Sequence, residues 1–396
     1  MALLYVNTKG EAHRKHSYSA GLDFDRSPYL YYLKRILGWK EKDRKGSFKF
    51  GRALEQAIEF HHDNQRGGVE KFIELWAPFK DDKEIRYTKT EKDWESLNRA
   101  GIEMMKLYLI RLPLLPIPLG GGSVFQREYS KEVFEGDPNY GEIHFAGKLD
   151  IVAYVDPTHP LLPSVHWKPE YGLLRPLVID IKTSAVDLAE RPGIVAYDKQ
   201  LRIYSWLTGI RDVSFLWFKK ASHTLSKGSS VTLLEDTGPF KAGSEAVVAQ
   251  VGDDGAYLVL NDTVIELMNE AQGRKEDGSI DQTKAAKERK LNWLKENATW
   301  ATESVITKQR LQFNAGFVTA ESADDAGKIA ASQIIRIVNA WKDKSWPQWM
   351  GVRYPTDDQS DGFFRAFILN DVNFRDENFK QHEEENLFDE EPEEGE

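Results

Sequence analysis

The chain has 396 residues, of which 41% are hydrophobic and 12% aromatic, so it is long enough for two or three domains and apolar enough for a sizeable core. It contains no cysteine, which excludes disulfides, thiolate zinc sites, iron–sulfur clusters and a cysteine nucleophile. No apolar run approaches the roughly 18 residues of a membrane helix, and the N-terminus lacks the apolar stretch of a signal peptide, so we expect a cytoplasmic protein that does not bind membranes.

Charge is distributed unevenly along the chain. The net charge is −10, but the last fourteen residues hold nine acidic side chains and no basic one, so the remaining 382 residues carry −1. Positions 1–52 hold twelve Lys and Arg against five Asp and Glu. A basic lobe can attract nucleic acid, although a solvated face and a solubilising tail explain the same pattern. The acidic tail, 381–396, is predicted to be disordered because so many carboxylates cannot form a core.

The first 120 residues predict a helical lobe. Serines suited to helix capping precede apolar residues at helical spacing in 17–40, and further helices fit 50–65 and 91–111. The prolines and glycines of 113–122 end this region. Trp39, in the basic part of the lobe, is a candidate for stacking on an exposed base.

Alternating residues then predict a sheet followed by further elements. The predicted strands are Val124–Phe134, Ile143–Val155, Leu177–Lys182 and Val213–Phe218, with a long proline-rich loop at 156–176 and a helix at 195–208. The stretch 229–262 predicts a small barrel or an extended hairpin arm. Residues 263–314 and 322–343 are predicted to be helical, and Phe363–Leu369 is predicted to be a last strand.

Two motifs on the predicted strands bring acidic and basic groups together. Gly-Lys-Leu-Asp ends at Asp150, and the strand Leu177–Lys182 ends in Asp180, Ile181 and Lys182. Because side chains alternate along a strand, Asp180 and Lys182 point to one face and Ile181 to the core. Asp150 and Asp180 can meet at one end of the sheet. Two close carboxylates repel each other unless a cation lies between them, and Mg²⁺ prefers oxygen ligands.

A third motif follows on the predicted helix, where Gln200 and Tyr204 are separated by three residues. The three motifs in this order resemble those of the RecB-like branch of the PD-(D/E)XK nuclease superfamily, from about residue 17 to about residue 220. The resemblance implies an α/β fold with a restriction-endonuclease-like core, a small mixed sheet flanked by helices. The N-terminal helical lobe and the β-rich and helical C-terminal parts would be additions to that core.

The resemblance also implies a role for each motif residue. Asp150 and Asp180 are expected to bind Mg²⁺ or Mn²⁺ together with the backbone carbonyl of Ile181. Lys182 is expected to position the attacking water and to stabilise charge on the phosphate. Gln200 and Tyr204 are expected to support the site and to contact DNA.

A fourth family element is a glycine followed four residues later by histidine. Here Gly51 is followed by Glu55, and because glutamate also offers oxygen ligands, Glu55 is expected to be a further metal ligand. Many relatives bind an iron–sulfur cluster, which the absence of cysteine excludes here. No G-x-x-x-x-G-K-[ST] motif is present, so no nucleotide cofactor is expected.

The predicted function is Mg²⁺-dependent hydrolysis of DNA phosphodiester bonds by an exonuclease of recombination, repair or phage DNA processing. The competing hypotheses are a site-specific or structure-specific endonuclease and a non-cleaving DNA-binding assembly protein. Expected partners are DNA and a helicase, a single-strand annealing protein or a single-strand-binding protein. The predicted units are the core at 1–220 (lobe 1–120, catalytic sheet and helix 121–220), a β-rich insertion at 221–262, a helical region with a final strand at 263–380, and the acidic tail.

Overall fold

The structure is a computed structural model that describes most of the chain. The described residues are 4–7, 10–42, 45–87, 93–111, 117–118, 124–155, 175–185, 188, 193–220, 224–252, 256–297, 299–308, 310–347 and 362–381. The acidic tail beyond residue 381, most of the predicted loop at 156–176 and most of the proline and glycine run at 113–122 lie outside these ranges.

The described residues form a mixed α/β fold. The helices are α1 (Tyr18–Arg26), α2 (Pro28–Tyr31, continued by a π-helix at Tyr32–Ile36), α3 (Gly46–Asn64), α4 (Gly68–Trp76), α5 (Trp94–Arg111), α6 (Lys199–Thr208), α7 (Asp262–Gln272), α8 (Lys284–Asn297), α9 (Ala320–Lys342) and α10 (Val372–Asn378). The strands are β1 (Tyr5–Val6), β2 (Ala12–His13), β3 (Lys15–His16), β4 (Trp39–Glu41), β5 (Ile117–Pro118), β6 (Phe125–Glu132), β7 (His144–Val155), β8 (Arg175–Ser184), β9 (Asp212–Lys219), β10 (Ser230–Leu233), β11 (Glu245–Val251), β12 (Tyr257–Leu260), β13 (Trp300–Ala301), β14 (Ile306–Thr307), β15 (Leu311–Phe317) and β16 (Phe379–Gln381).

The central sheet is mixed and has the strand order β15-β9-β8-β7-β3, with β5 and β6 also paired to β7. Strand β8 is parallel to β9 and antiparallel to β7. His144 and Phe145 of β7 pair with both β6 and β3, and Ile151 pairs with both β6 and β8. Because a strand has only two edges, β3 and β8 occupy the same edge of β7, one at each end, and leave a gap between them.

Two hydrophobic layers cover the central sheet. On one face, Leu54 and Ile58 of α3 and the apolar residues of α4 and α5 pack on Ile179 and Ile181 of β8. On the other face, the apolar residues of α6 and α9 pack on Val178 and on residues of β7 and β9. This alternation along β8 is the pattern expected of a strand buried on both faces. The helices predicted at 50–65 and 91–111 and the strands predicted between 124 and 218 are confirmed. The predicted helical stretch 17–40 forms two helices and a π-helix, and its last residues belong to β4.

A second, antiparallel sheet has the order β13-β12-β11-β10-β14 and its own apolar core. Helices α7 and α8 confirm the first part of the predicted helical stretch 263–314, but residues 300–301, 306–307 and 311–317 form strands, so the rest of that prediction was wrong. Leu311–Phe317 pairs antiparallel with β9 of the central sheet. The predicted boundary at residue 220 therefore leaves out a strand of the central sheet and the helix α9 that covers it.

The C-terminal part also differs from the prediction. Gly362 and Phe363 are helical and are followed by a π-helix at Phe364–Ile368, so the predicted strand Phe363–Leu369 was wrong. A run of aromatic residues favours a strand on propensity alone, but here Phe363 and Phe379 pack with Leu30 and Leu33 of the lobe. The strand in this region is β16, which pairs with β4.

Candidate active site

The candidate site lies where β7 and β8 separate. The two strands pair from Val155 and Arg175 up to Ile151 and Ile179, and beyond that point β8 continues beside β9 alone. Asp150 and Asp180 are the next residues on the two strands. The backbone N–H of Ile181 donates to Asp150 Oδ2 at 2.7 Å. Beyond the last backbone pair of β7 and β8, the two strands are therefore joined by a side-chain hydrogen bond.

Asp180, Lys182, Gln200 and Tyr204 form one hydrogen-bonded network. Asp180 is buried, with 2% of its surface exposed, and its Oδ2 lies 2.5 Å from Lys182 Nζ. Gln200 Nε2 donates to Asp180 Oδ1 at 3.0 Å and to the Tyr204 hydroxyl at 2.7 Å. Lys182 Nζ in turn donates to Gln200 Oε1 at 3.2 Å. The amide thus presents its donor to the carboxylate and its acceptor to the ammonium.

Helix α6 positions the glutamine and the tyrosine of this network. Asp198 caps the helix, because its side chain accepts hydrogen bonds from the backbone N–H groups of Gln200 and Leu201. Gln200 and Tyr204 are four residues apart and therefore lie on one face of the helix. Tyr204 is 7% exposed and packs in the apolar layer between α6 and the sheet. Gln200 therefore contacts Asp180 directly, and Tyr204 reaches it only through Gln200.

Glu55 reaches the same place from helix α3. One face of α3 is buried in the core, and a cleft beside the helix is lined by the buried Gly51 and by Arg52 and Glu55. Helix α3 lies against the end of β8, since a Cβ built on Gly51 would be 3.4 Å from Thr183 Oγ1, and burial and the neighbouring Asp150 and Asp180 raise the pKa of Glu55. The residues expected from the motifs, 55, 150, 180, 181, 182, 200 and 204, are thus brought together around one end of β8.

Burial and mutual repulsion perturb the acidic groups of the site. Burial, and then the neighbouring Asp150 and Asp180, raise the pKa of Glu55 to about 8, against the opposing effect of Lys182. Burial and Asp150 raise the pKa of Asp180 to about 7, and burial raises the pKa of Asp150 as well. Burial lowers the pKa of Lys182, but the attraction of the three carboxylates outweighs it, so the net shift is upward. Such clusters of perturbed groups in a cleft are typical of functional sites.

The cleft in front of the site has a volume of about 1330 Å³. Its walls come from α3, from β6 and β7, from α6, and from the N-terminal segment that contains β2, β3 and the start of α1. Six basic side chains line it: Arg14, Lys15, Arg35, Arg52, Lys148 and Lys182. The acidic residues that line it are Glu55, Glu59 and Glu128. Basic side chains along the walls of the cleft can attract a polyanion and hold it so that one of its charged groups lies at the carboxylates.

Gln126 belongs to the site, and sequence reasoning missed it. In the register of β6 and β7 it stands opposite Asp150, and its Nε2 donates to Asp150 Oδ1 at a long 3.4 Å. Its backbone has φ of +49°, the left-handed region that residues other than glycine rarely adopt. Both oxygens of Asp150 thus receive a donor, one from Gln126 and one from Ile181. The sequence signal was only a polar residue in an alternating strand.

Other candidates from the sequence have structural partners outside the catalytic network. Trp39 packs against Phe367, with the Arg375 guanidinium 5.7 Å from its ring, and its stacking on a base stays a prediction. Glu128 stands opposite Lys148, and its carboxylate lies 2.7 Å from Lys15 Nζ. His62 bonds to the Tyr108 hydroxyl.

The described residues contain no group of three or more His, Asp or Glu side chains drawn together closely enough to hold a metal ion. The chemistry of the donors nevertheless fits a hard cation. Asp180 Oδ2 is buried and makes no hydrogen bond of good geometry besides its ion pair with Lys182. Besides burial, Asp150 raises the pKa of Asp180, and both carboxylates raise the pKa of Glu55. A cation between them would relieve that repulsion.

Comparison with known proteins adds little to this geometry. No family model matches the chain, and no curated protein matches it. Among solved structures, the chain matches one described as the crystal structure of SSO0001, with 13% identity over 51% of this chain and 72% of that chain and a TM-score of 0.17. A likeness of this degree carries no argument about fold or function. Among the described residues, no helix is both long and apolar enough to cross a membrane.

Proposed function

We propose that the protein is a Mg²⁺-dependent deoxyribonuclease with a PD-(D/E)XK core of the RecB-like type, acting as an exonuclease. The observation that carries the proposal is the network at the split between β7 and β8, in which Asp180 contacts both Lys182 and Gln200. Asp150 joins the network through the backbone of Ile181. The mixed sheet with helices on both faces is compatible with such a core.

Asp150, Asp180 and Glu55 would hold the ion together with the backbone carbonyl of Ile181. A bound Mg²⁺ would supply positive charge beside the phosphate oxygens and acidity for a water molecule. Asp180 and Asp150 are fixed before substrate arrives, because Gln200, Gln126 and the Ile181 amide already bond to them. Fixed ligands of this kind do not need to be ordered during the reaction.

Lys182 would act directly on the substrate. Its side chain is 37% exposed at the floor of the cleft, while its ammonium is held by Asp180 and by Gln200 Oε1. The ammonium can donate to a non-bridging oxygen of the scissile phosphate and offset the charge that develops there as water adds. The upward shift of its pKa keeps it protonated at neutral pH. Tyr204 fixes the Gln200 amide and so acts on Lys182 only through Gln200.

Cationic residues along the cleft would bind the phosphates on either side of the scissile bond. Arg52 lies one helical turn from Glu55 on α3, and Lys148 lies two residues before Asp150 on β7. Arg14 and Lys15 line the opposite wall. Contacts of this kind bind DNA without regard to sequence and weaken as salt increases.

One assay tests both whether the protein cleaves DNA and whether it acts as an exonuclease or an endonuclease. Purified protein is incubated with Mg²⁺ and either end-labelled linear DNA or covalently closed circular DNA of the same sequence. An exonuclease degrades the linear DNA and leaves the circle intact. Cleavage of the circle would replace the exonuclease proposal with an endonuclease. Binding without cleavage of either DNA would favour the non-cleaving DNA-binding protein.

A further inference from the structure

An exposed aromatic ring lies inside the cleft. Phe48 is in the first turn of α3, lines the cleft and is 66% exposed. Of the exposed large apolar side chains among the described residues, Phe48 alone lines the cleft. Single exposed apolar residues are ordinary on protein surfaces, so its position is what requires an explanation.

Phe48 is aligned with the candidate catalytic residues. Phe48, Arg52 and Glu55 are spaced by four and three residues and therefore lie on one face of α3. At about 1.5 Å per residue, the ring is roughly 6 Å along the helix axis from Arg52 and roughly 10 Å from Glu55. Stacked nucleotides advance by about 3.4 Å each, so the ring lies within roughly three nucleotides of a phosphate bound at Glu55.

The ring is held on a rigid support. The opposite face of α3 buries Phe50, Leu54 and Ile58 against the central sheet, which fixes the helix relative to β8. The Lys45 ammonium lies 5.7 Å from the centroid of the Phe48 ring and adds positive charge beside it. An aromatic face flanked by cations is the usual arrangement for binding a base and its adjacent phosphate.

We propose that Phe48 stacks on a base of single-stranded DNA within about three nucleotides of the scissile phosphate, so that the preferred substrate is a single strand or a single-stranded end. This inference rests on the proposed function and specifies its substrate class. In a continuous duplex each base face is covered by its neighbours, so a ring on the protein can stack only on a base that is unpaired or terminal. Because every base has an aromatic face, such stacking does not select a sequence.

Binding of fluorescently labelled oligonucleotides in Ca²⁺ tests this proposal in the full chain. The probes are oligo(dT), an oligonucleotide of equal length that is abasic throughout, and a covalently closed circular duplex, which has no terminal base pair. Phe48→Ala should bind oligo(dT) about 5- to 100-fold more weakly than the wild type, the range for the loss of one stacked base. Its binding to the abasic strand and to the duplex should be unchanged, because those contacts are to phosphates.

Two further variants separate stacking from other effects. Phe48→Trp keeps an aromatic face and should retain wild-type affinity for oligo(dT). Trp300→Ala removes an aromatic residue that is 44% exposed outside the cleft and should bind all three probes as the wild type does. Thermal unfolding of each variant checks that the fold is intact.

Equal affinity of Phe48→Ala and the wild type for oligo(dT) would overturn the stacking proposal, as would an equal loss of affinity for the abasic strand. Failure of the wild type to bind oligo(dT) would also overturn it. These outcomes are distinct from failure of the nuclease proposal. If the protein stacks on bases but cleaves no DNA, the stacking proposal stands and the nuclease proposal fails. If it cleaves DNA and replacement of Phe48 changes nothing, the nuclease proposal stands and the stacking proposal fails.

Discussion

Replacement of Lys182 by alanine removes the ammonium from the centre of the network. Its Nζ lies 2.5 Å from Asp180 Oδ2 and 3.2 Å from Gln200 Oε1. The side chain is at the exposed end of β8, so its removal should leave the strand intact. A well-placed charged donor contributes about 10²–10³ in rate, or roughly 3–4 kcal/mol of transition-state stabilisation, so cleavage should fall by that factor.

The pH dependence of the residual activity gives a second readout of the same variant. Lys182 opposes the upward shift that burial and Asp150 impose on the pKa of Asp180, which lies at about 7. Without the ammonium that pKa rises further, and an acid with a higher pKa becomes charged only at higher pH. The residual cleavage by Lys182→Ala should therefore begin at higher pH than wild-type cleavage. Lys182→Arg keeps the charge and should keep the wild-type profile at a reduced rate.

Single-turnover cleavage of end-labelled DNA between pH 6 and 9 measures both effects. Calorimetric titration with Mn²⁺ at pH 8.5 should show near-normal affinity for Lys182→Ala. A rate within threefold of the wild type would refute the assigned role of the lysine. Loss of Mn²⁺ affinity together with activity would instead assign Lys182 a structural role.

Three further predictions concern the surroundings of the site and the core. Gln126→Ala removes the donor to Asp150 and should weaken Mn²⁺ affinity about 10- to 100-fold by calorimetry. Gln126→Gly should lose the same affinity but unfold at higher urea concentration than Gln126→Ala, because glycine tolerates the left-handed backbone. Raised pH should strengthen Mn²⁺ binding by the wild type between pH 6 and 9, since protons compete at Glu55, whose pKa is about 8, and Glu55→Gln should flatten that rise. Glu103→Ala leaves the buried Arg310 guanidinium without its carboxylate, which lies 2.6 Å from Nε, and should lower the free energy of unfolding in urea by about 3–5 kcal/mol. The first prediction fails if Gln126→Ala binds Mn²⁺ as tightly as the wild type, and the second fails if the Mn²⁺ affinity of the wild type does not change with pH. The third fails if Glu103→Ala lowers the free energy of unfolding by less than about 1 kcal/mol.

The parts of the fold that could be predicted are those with strong local patterns. Helix α3 follows from the regular spacing of Phe50, Leu54 and Ile58, all of which are buried. The strand containing Asp180 follows from its short apolar run. The assembly of the site from β7, β8 and α6 depended on the order of three motifs, because no local pattern says which strands are neighbours.

The remaining parts depend on contacts that are distant in sequence. Residues 311–317 carry no distinctive alternation, and their strand forms by pairing with β9, almost a hundred residues earlier. Gln126 looks like any polar strand residue until its backbone dihedral and its bond to Asp150 are seen. Phe48 and Trp39 are both aromatic residues of the basic lobe, and only packing shows that Trp39 is engaged by Phe367 while Phe48 is exposed in the cleft.

Substitution of Asp180 tests the central claim most directly, because its carboxylate contacts both Lys182 and Gln200 at the floor of the cleft. Asp180→Asn is compared with Asp236→Asn, a matched change at an exposed aspartate that pairs with Lys241 in the second sheet region. End-labelled single-stranded and duplex DNA are incubated with each protein in Mg²⁺ or in EDTA. We expect the wild type and Asp236→Asn to cleave in Mg²⁺ alone, and Asp180→Asn to bind DNA but not cleave it. Cleavage by Asp180→Asn at more than a few per cent of the wild-type rate, or cleavage by the wild type in EDTA, would contradict the proposed Mg²⁺-dependent nuclease.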